Sequence, residues 1–337
     1  MKIGVLGAGS WGTALAIHLN KQGHEVTLWG HSASGVSRMK ETRSIGDKLP
    51  GVLIPEEVAL TDRLAEAASE KGLLVFAVPS PAIRETAEKV KPYAAKGQIA
   101  VSVAKGLEER TLLRLSRVIA EELPECEVAV LCGPSHAEEV ALGLPTVLGA
   151  GAEKRSVAEK VQNAFMEERL RVYTSPDVAG MEMGGALKNV IALAAGMADG
   201  LGFGDNTKAA LITRGIHEII RLAVKLGGAA ETITGLTGIG DLIVTCESRH
   251  SRNRKAGMLI GQGKSLSEAL SEVGMVVEGV NTARSAKRLA DQYEVSMPII
   301  SEVNEVLFSG RPAKEAVTNL MIRDKRIENT RLEWKHE

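Results

Sequence analysis

Apolar residues follow two different rhythms along the chain, and the change falls near residue 177. In the first half, short continuous apolar runs recur at Met1–Leu6, His24–Trp29, Leu73–Val78, Ile99–Val103 and Val128–Cys132. Runs without polar alternation suit strands of a parallel sheet that is covered on both faces. Pro145–Gly149 and Leu170–Tyr173 predict outer strands. Helical spacing between the runs marks Thr13–Lys21, Ile83–Val90 and Thr111–Glu122. From Val178 onward strand alternation disappears. Helical patterns follow near Met181–Ala198, Asn206–Leu226, Arg252–Ile260, Leu266–Val273, Val280–Gln292, Pro298–Phe308 and Ala313–Leu320, punctuated by glycine. Ser175-Pro176-Asp177 supplies a break and a helix start. The expected architecture is α/β: a doubly wound sheet over residues 1–177, then an all-α domain over 178–337. The tail Ile322–Glu337 is strongly charged and reads as a solvated helix or frayed end.

The opening run carries the most specific signal. A strand runs into Gly7-Ala8-Gly9-Ser10-Trp11-Gly12, then a helix, then Gly23 and a second strand. Strand, G-x-G-x-x-G, helix, strand is the order of a Rossmann-type dinucleotide-binding unit. Gly7 permits the turn, Gly9 lets a pyrophosphate approach the backbone, and Gly12 lets the helix pack close to the strand. The free N–H groups at the helix start favour negative charge. An acidic residue usually follows the second strand and holds the ribose 2′-hydroxyl. Here Trp29 is followed by Gly30-His31-Ser32. A carboxylate would repel a 2′-phosphate, whereas His31, Ser32 and Arg38 tolerate or bind one. This favours NADP, or use of both NADP and NAD; the alternative leaves His31 as an exposed loop residue. Ser10 can donate to a phosphate. Trp11 packs over the cofactor or between the domains.

Composition excludes several classes. The chain has 337 residues, 44% hydrophobic and 25% charged, with a net charge of -1, so no basic field recruits nucleic acid. Aromatics make up 3%, too few for a base-stacking platform. The most apolar stretch, Val190–Ala198, is too short to span a bilayer. Met1-Lys2 leads straight into the first strand and no early apolar segment resembles a signal peptide, so none is expected. Cys126, Cys132 and Cys246 form neither a disulfide framework nor a metal site, which fits a reducing cytoplasm.

Ligands of doubly wound sheets lie beyond the carboxyl ends of the strands. That rule places Ala77–Pro81, Lys105-Gly106 and Gly133-Pro134-Ser135 at a cleft. Lys105 is a site lysine or a solvated charge. Lys188 lies on a helix of small apolar residues, where burial and nearby cations lower a lysine pKa into the range of a general base; the alternative is a lysine snorkelling at the helix edge. Three glycines precede Asp241, which orients an ammonium group or caps a helix. Ser251-Arg252-Asn253-Arg254 opens a helix where free N–H groups and a guanidinium suit a phosphate dianion. Together these residues indicate a small phosphorylated polyol or ketone. His136, His217 and His250 are isolated in the sequence and form no catalytic arrangement, and Cys246 reads as structural.

These motifs, joined by Gly133-Pro134-Ser135-His136-Ala137-Glu138, Ala186-Leu187-Lys188-Asn189, Gly238-Ile239-Gly240-Asp241-Leu242 and Val277-Glu278-Gly279, resemble the bacterial-type NAD(P)-dependent glycerol-3-phosphate dehydrogenases from Met1 to Leu320. The resemblance implies interconversion of sn-glycerol 3-phosphate and dihydroxyacetone phosphate, supplying phospholipid synthesis, in a cytoplasmic homodimer. It implies Lys188 as proton acceptor and places Lys105, Gly133, Ser135, Asp241, Ser251, Arg252 and Asn253 at the substrate. At the cofactor it places Ser10, Trp11, His31, Lys105, Ala137, Arg252, Val276 and Glu278. Many family members carry Arg where this chain has His31. No metal is implied. Two other readings stand: a β-hydroxyacid or 6-phosphogluconate-type dehydrogenase of similar plan, and a redox-sensing protein that holds NAD(P)H without turnover.

Overall fold

The computed structural model describes residues 1–325, 327 and 328. Eight strands form one sheet: β1 (Lys2–Leu6), β2 (Glu25–Trp29), β3 (Ala59–Thr61), β4 (Leu73–Phe76), β5 (Ile99–Ser102), β6 (Glu127–Cys132), β7 (Thr146–Ala152) and β8 (Leu170–Ser175). Their order is β3-β2-β1-β4-β5-β6-β7-β8. The chain moves outward from β1 through β2 to β3, then returns to build from β4 on the other side. The crevice opens at that reversal, between the carboxyl ends of β1 and β4. β4 and β5 are buried along their whole length, because helices cover both faces.

Two features depart from the sequence reading. The expected parallel sheet is interrupted, because β7 pairs antiparallel with β6 while β8 runs parallel to β7. The connection after β6 holds only a five-residue helix, Ala137–Ala141. That helix does not carry the chain back to the starting end of the sheet, as a parallel crossover must. β3 has three residues and only one large apolar side chain, so it left no run to read. Helices Ala33–Thr42, Arg155–Phe165 and Asp241–Glu247 were also unpredicted. The expected helix over Thr111–Glu122 begins only at Leu115, because Leu112 adopts positive φ and Leu107 bridges to Arg114. The tail reading for Ile322–Glu337 falls, for 326 and 329–337, outside the described residues; residues 322–325 follow the Ala313–Met321 helix as non-helical chain. No helix among the described residues is long and apolar enough to cross a membrane.

The helical part is organised on one element, the helix Val178–Gly200. Asp177 caps it, accepting from Gly180 N–H and, with its other oxygen, from Ala229 N–H. Residues from Gly180 to Ala198 are all buried. A helix apolar on every face has to be enclosed by neighbours. Its closest neighbour is Arg252–Gly261. Glycines make that crossing possible: a Cβ on Gly196 or Gly200 would strike the carbonyls of Arg254 or Met258, and one on Gly257 or Gly261 would strike those of Leu193 or Met197. Backbones this close leave no room for a methyl group. Gly257→Ala is therefore expected to cost about 1–3 kcal/mol of folding stability, the usual range for overpacking. Chemical denaturation measures it, and an unchanged midpoint would mean that the two helices separate freely.

Candidate active site

A cavity of about 1030 Å³ runs from the glycine turn after β1 to the start of the Arg252–Gly261 helix. At its first end, Gly7 has φ +124°, and a Cβ there would lie 2.7 Å from the Ala77 carbonyl carbon at the end of β4. Gly9 faces open space, and a Cβ on Gly12 would strike the Gly7 carbonyl. The Ser10–Lys21 helix that follows has neither a side-chain cap nor an acidic residue in its first turn. Its first N–H groups stay available for a pyrophosphate. Ser10 itself donates its hydroxyl to the Lys48 carbonyl at 2.6 Å, so its proton is committed there. Trp11 borders the cavity and packs with Ile45, Leu49 and Ala137 inside the N-terminal half, not across the domains. His31, Ser32 and Arg38 line the same end. Ser32 caps the Ala33–Thr42 helix, accepting from Gly35 N–H, and Arg38 has no ion pair among the described residues.

In the middle of the cavity two lysines share one carboxylate. Lys105, just beyond β5, donates to Asp241 Oδ2 at 2.6 Å and to the Gly133 carbonyl at 3.0 Å. Lys188, on the central helix, donates to Asp241 Oδ1 at 2.5 Å and to Thr245 Oγ1 at 2.6 Å. Thr245 sends its own proton to the Asp241 carbonyl, leaving a lone pair for the lysine. Asp241 is only 1% exposed and Lys188 5%. Burial brings the Lys188 pKa down to about 8; the Asp241 carboxylate opposes this and the Lys105 cation adds to it. Burial alone would raise Asp241, but the two ammonium groups outweigh it and hold the carboxyl below its usual range. One of the three Lys188 protons remains for a ligand oxygen.

Asp241 is aimed by the stretch before it. Leu236–Gly240 forms a π-helical turn in which a Cβ on Gly238 would strike the Ile233 carbonyl. The alternative in which Asp241 caps a helix is not what the fold adopts: Gly240 holds the cap position, and the carboxylate turns to the lysines.

At the far end Ser251 caps the Arg252–Gly261 helix through Arg254 N–H. The exposed Arg252 guanidinium donates to the Val276 carbonyl and borders the cavity without a salt bridge among the described residues. Asn253 donates to Asn189 Oδ1 and accepts from Gly279 N–H. Glu278 reaches across to the N-terminal half and accepts from Ser80 N–H at 3.2 Å and from its hydroxyl at 2.5 Å. Burial pushes the Glu278 pKa up against those hydrogen bonds.

Of the residues singled out in the sequence, Gly7, Gly9, Ser10, Trp11, His31, Lys105, Ser135, Ala137, Lys188, Asp241, Ser251, Arg252, Asn253, Val276 and Glu278 line this one cavity. Gly12 and Gly133 do not. Gly12 sets the packing of the first helix, and Gly133 stands behind Lys105, its carbonyl taking both Lys105 and Ser135. Sequence reasoning missed Thr245 and His136, which also border the cavity. Thr245 stands four residues after Asp241 on one helix face, a relation visible only once that stretch is known to be helical. Burial pushes the Cys132 and Cys246 thiols up to about 12, which leaves them unreactive.

Comparisons with known proteins agree in direction. The model described as NAD-dependent glycerol-3-phosphate dehydrogenase N-terminus matches residues 2–158, and the model described as its C-terminus matches 177–318. The chain is 60% identical over 334 residues to a glycerol-3-phosphate dehydrogenase [NAD(P)+] of Agathobacter rectalis, covering 99% of each chain. It is 56% identical to the protein of that name from Fusobacterium nucleatum, covering 97% of this chain and 98% of the other. The crystal structure of glycerol-3-phosphate dehydrogenase from Coxiella burnetii superposes with a TM-score of 0.93 at 35% identity, covering 96% of this chain and 99% of that one.

The lysine pair yields a signed prediction. Asp241 is the group that raises the Lys188 pKa, so Asp241→Asn is expected to move it below about 8. NMR titration of isotope-labelled lysine measures the shift; an upward move would mean that the carboxylate does not act on Lys188.

Proposed function

The chain belongs to the NAD-dependent glycerol-3-phosphate dehydrogenase family, and from that premise we propose that it interconverts sn-glycerol 3-phosphate and dihydroxyacetone phosphate with NAD(P). The observation that carries the reading is the buried Asp241 carboxylate shared by Lys188 and the half-buried Lys105, in one cavity with a dinucleotide turn and an anion-binding helix start.

A nicotinamide coenzyme held at the glycine turn would supply the acceptor for hydride from C2 in oxidation and the donor in reduction. The chain's own residues do the rest. Lys188 takes the C2 hydroxyl proton in oxidation and returns it to the ketone oxygen in reduction. A pKa near 8 keeps both its forms accessible close to neutral pH. Asp241 and Thr245 hold its Nζ in place, so the remaining proton points along a fixed direction. Lys105 adds a second cation near the oxygen where negative charge develops. Ser251, Arg252 and the free N–H groups beside them grip the phosphate and fix C2 against the ring.

NADP is the favoured coenzyme. The turn after β2 offers a 2′-phosphate His31, the Ser32-capped helix start and Arg38, with no carboxylate to repel it. Family resemblance further supports a homodimer in the cytoplasm that supplies glycerol 3-phosphate to phospholipid synthesis. Three free thiols suit that compartment.

Adding dihydroxyacetone phosphate to protein and NADPH should consume the coenzyme absorbance, and Lys188→Ala should cut kcat by about 10²–10⁴ with folding intact, the range for a proton-transfer group. No consumption with either coenzyme, or near-normal kcat in the variant, would overturn the assignment. His31→Asp is expected to shift the kcat/KM ratio towards NADH. An equal loss with both coenzymes would remove His31 from the ribose.

A further inference from the structure

The segment that grips the phosphate is held from behind by charged side chains that do not reach the cavity. Asp199, near the end of the central helix, lies between Gly196 and Gly200 at the glycine crossing. Its Oδ2 accepts from the Arg254 Nε–H at 2.7 Å, and its Oδ1 pairs with the Lys208 ammonium at 3.0 Å. Lys208 comes from the helix Asp205–Lys225. It also stands 3.7 Å from Glu247, the last residue of the helix Asp241–Glu247. Four helices therefore meet in one cluster. Asp199 and Lys208 keep only 13% and 12% of their side chains exposed. Charges so far out of water need partners. None of the four residues borders the cavity.

The cluster brackets residues 248–253. That segment leaves the helix that carries Asp241 and Thr245, and it enters the helix that carries Arg252 and Asn253. Glu247 stands before it and Arg254 after it. Arg254 is fixed at three points. Its N–H donates to Ser251 Oγ at 3.2 Å, its carbonyl lies against Gly196, and its guanidinium holds Asp199. Arg252 and Arg254 carry the same charge two positions apart, a spacing that puts them on different sides of the helix. With Arg254 engaged by Asp199, only Arg252 of the two borders the cavity.

We propose that Asp199 is a positioning residue for substrate binding: acting through Arg254, and steadied by Lys208, it holds Ser251, Arg252 and Asn253 in the arrangement that receives the phosphoryl group. This deepens, and rests on, the function proposed above. The sign of the effect separates this role from a plain field effect. Deleting a carboxylate behind an anion site removes repulsion, so by charge alone phosphate would bind more tightly. A released Arg254 would act in the same direction. Positioning demands the opposite, weaker binding.

Steady-state kinetics with dihydroxyacetone phosphate and NADPH, with inorganic phosphate as competitive probe, test it on the wild type, Asp199→Ala and Asp199→Asn. The alanine variant should raise KM and the inhibition constant for inorganic phosphate together, by about three- to thirtyfold, the range for a residue that acts through its neighbours in one hydrogen-bonded network. Its kcat should change less, and NADPH affinity, read by fluorescence, should hold. Asp199→Asn keeps an acceptor for the Arg254 Nε–H but loses the charge, and should show a smaller rise of the same kind. Tighter phosphate binding, or unchanged KM and inhibition constant, in Asp199→Ala would overturn the proposal. So would a fall in kcat alone, which would place the effect at Lys188 and not at the phosphate. Should the alanine variant not fold, the asparagine variant decides, and unchanged or tighter values there overturn the role. If wild-type protein turns over no dihydroxyacetone phosphate with either coenzyme, the function above falls. Calorimetric binding of inorganic phosphate then decides the positioning role: weaker binding in the variants upholds it, and unchanged, tighter or undetectable wild-type binding overturns it.

Discussion

One buried carboxylate faces two ammonium groups, and the site is organised around that imbalance. Asp241 gives one oxygen to Lys105 and the other to Lys188. None of the three sits comfortably in an apolar interior alone, because desolvating a charge costs far more than desolvating a hydroxyl. Together they leave one net positive charge, which neither the carboxylate nor the Thr245 hydroxyl neutralises. The excess keeps Lys188 close to giving up a proton. It also makes the same spot attractive to an oxygen that is gaining negative charge. Proton transfer and charge stabilisation thus come from a single arrangement.

The arrangement needs three elements brought to one point. Lys105 arrives on the carboxyl end of β5, Lys188 on the central helix, and Asp241 on a short helix reached through a glycine-rich turn. Two further carboxylates join the halves of the molecule. Glu182, from the central helix, accepts from Arg114 and from the backbone and hydroxyl of Ser116 at 2.5–2.8 Å. Glu278 accepts from Ser80 after β4. Each carries a side chain of the helical half to backbone N–H groups near the sheet, so the cavity between them has fixed walls.

The glycine crossing does a comparable task for the substrate's other end. Because Gly196, Gly200, Gly257 and Gly261 let backbones touch, the helix that begins at Ser251 lies directly on the helix that carries Lys188. The spacing between an anion-binding helix start and a proton-transfer lysine is then set by packed backbone. Asn253 and Asn189 tie the same helices with a side-chain hydrogen bond.

The glycine turn after β1, the apolar runs of β1, β2, β4, β5 and β6, and the helical spacing after Val178 were legible in the sequence because each is a local periodicity or a local steric need. So was the absence of a carboxylate after β2. Lys188 stood out because a lysine among small apolar residues calls for a partner, but the sequence does not name that partner. Tertiary structure alone decided that Asp241 lies between two lysines rather than capping a helix, that Gly133 backs Lys105, that β7 turns against β6, and that two histidines 114 positions apart along the chain face each other. Each of these depends on distances between segments remote in sequence. Burial, which shifts the pKa of Lys188, is a property of the packed interior and of no residue by itself.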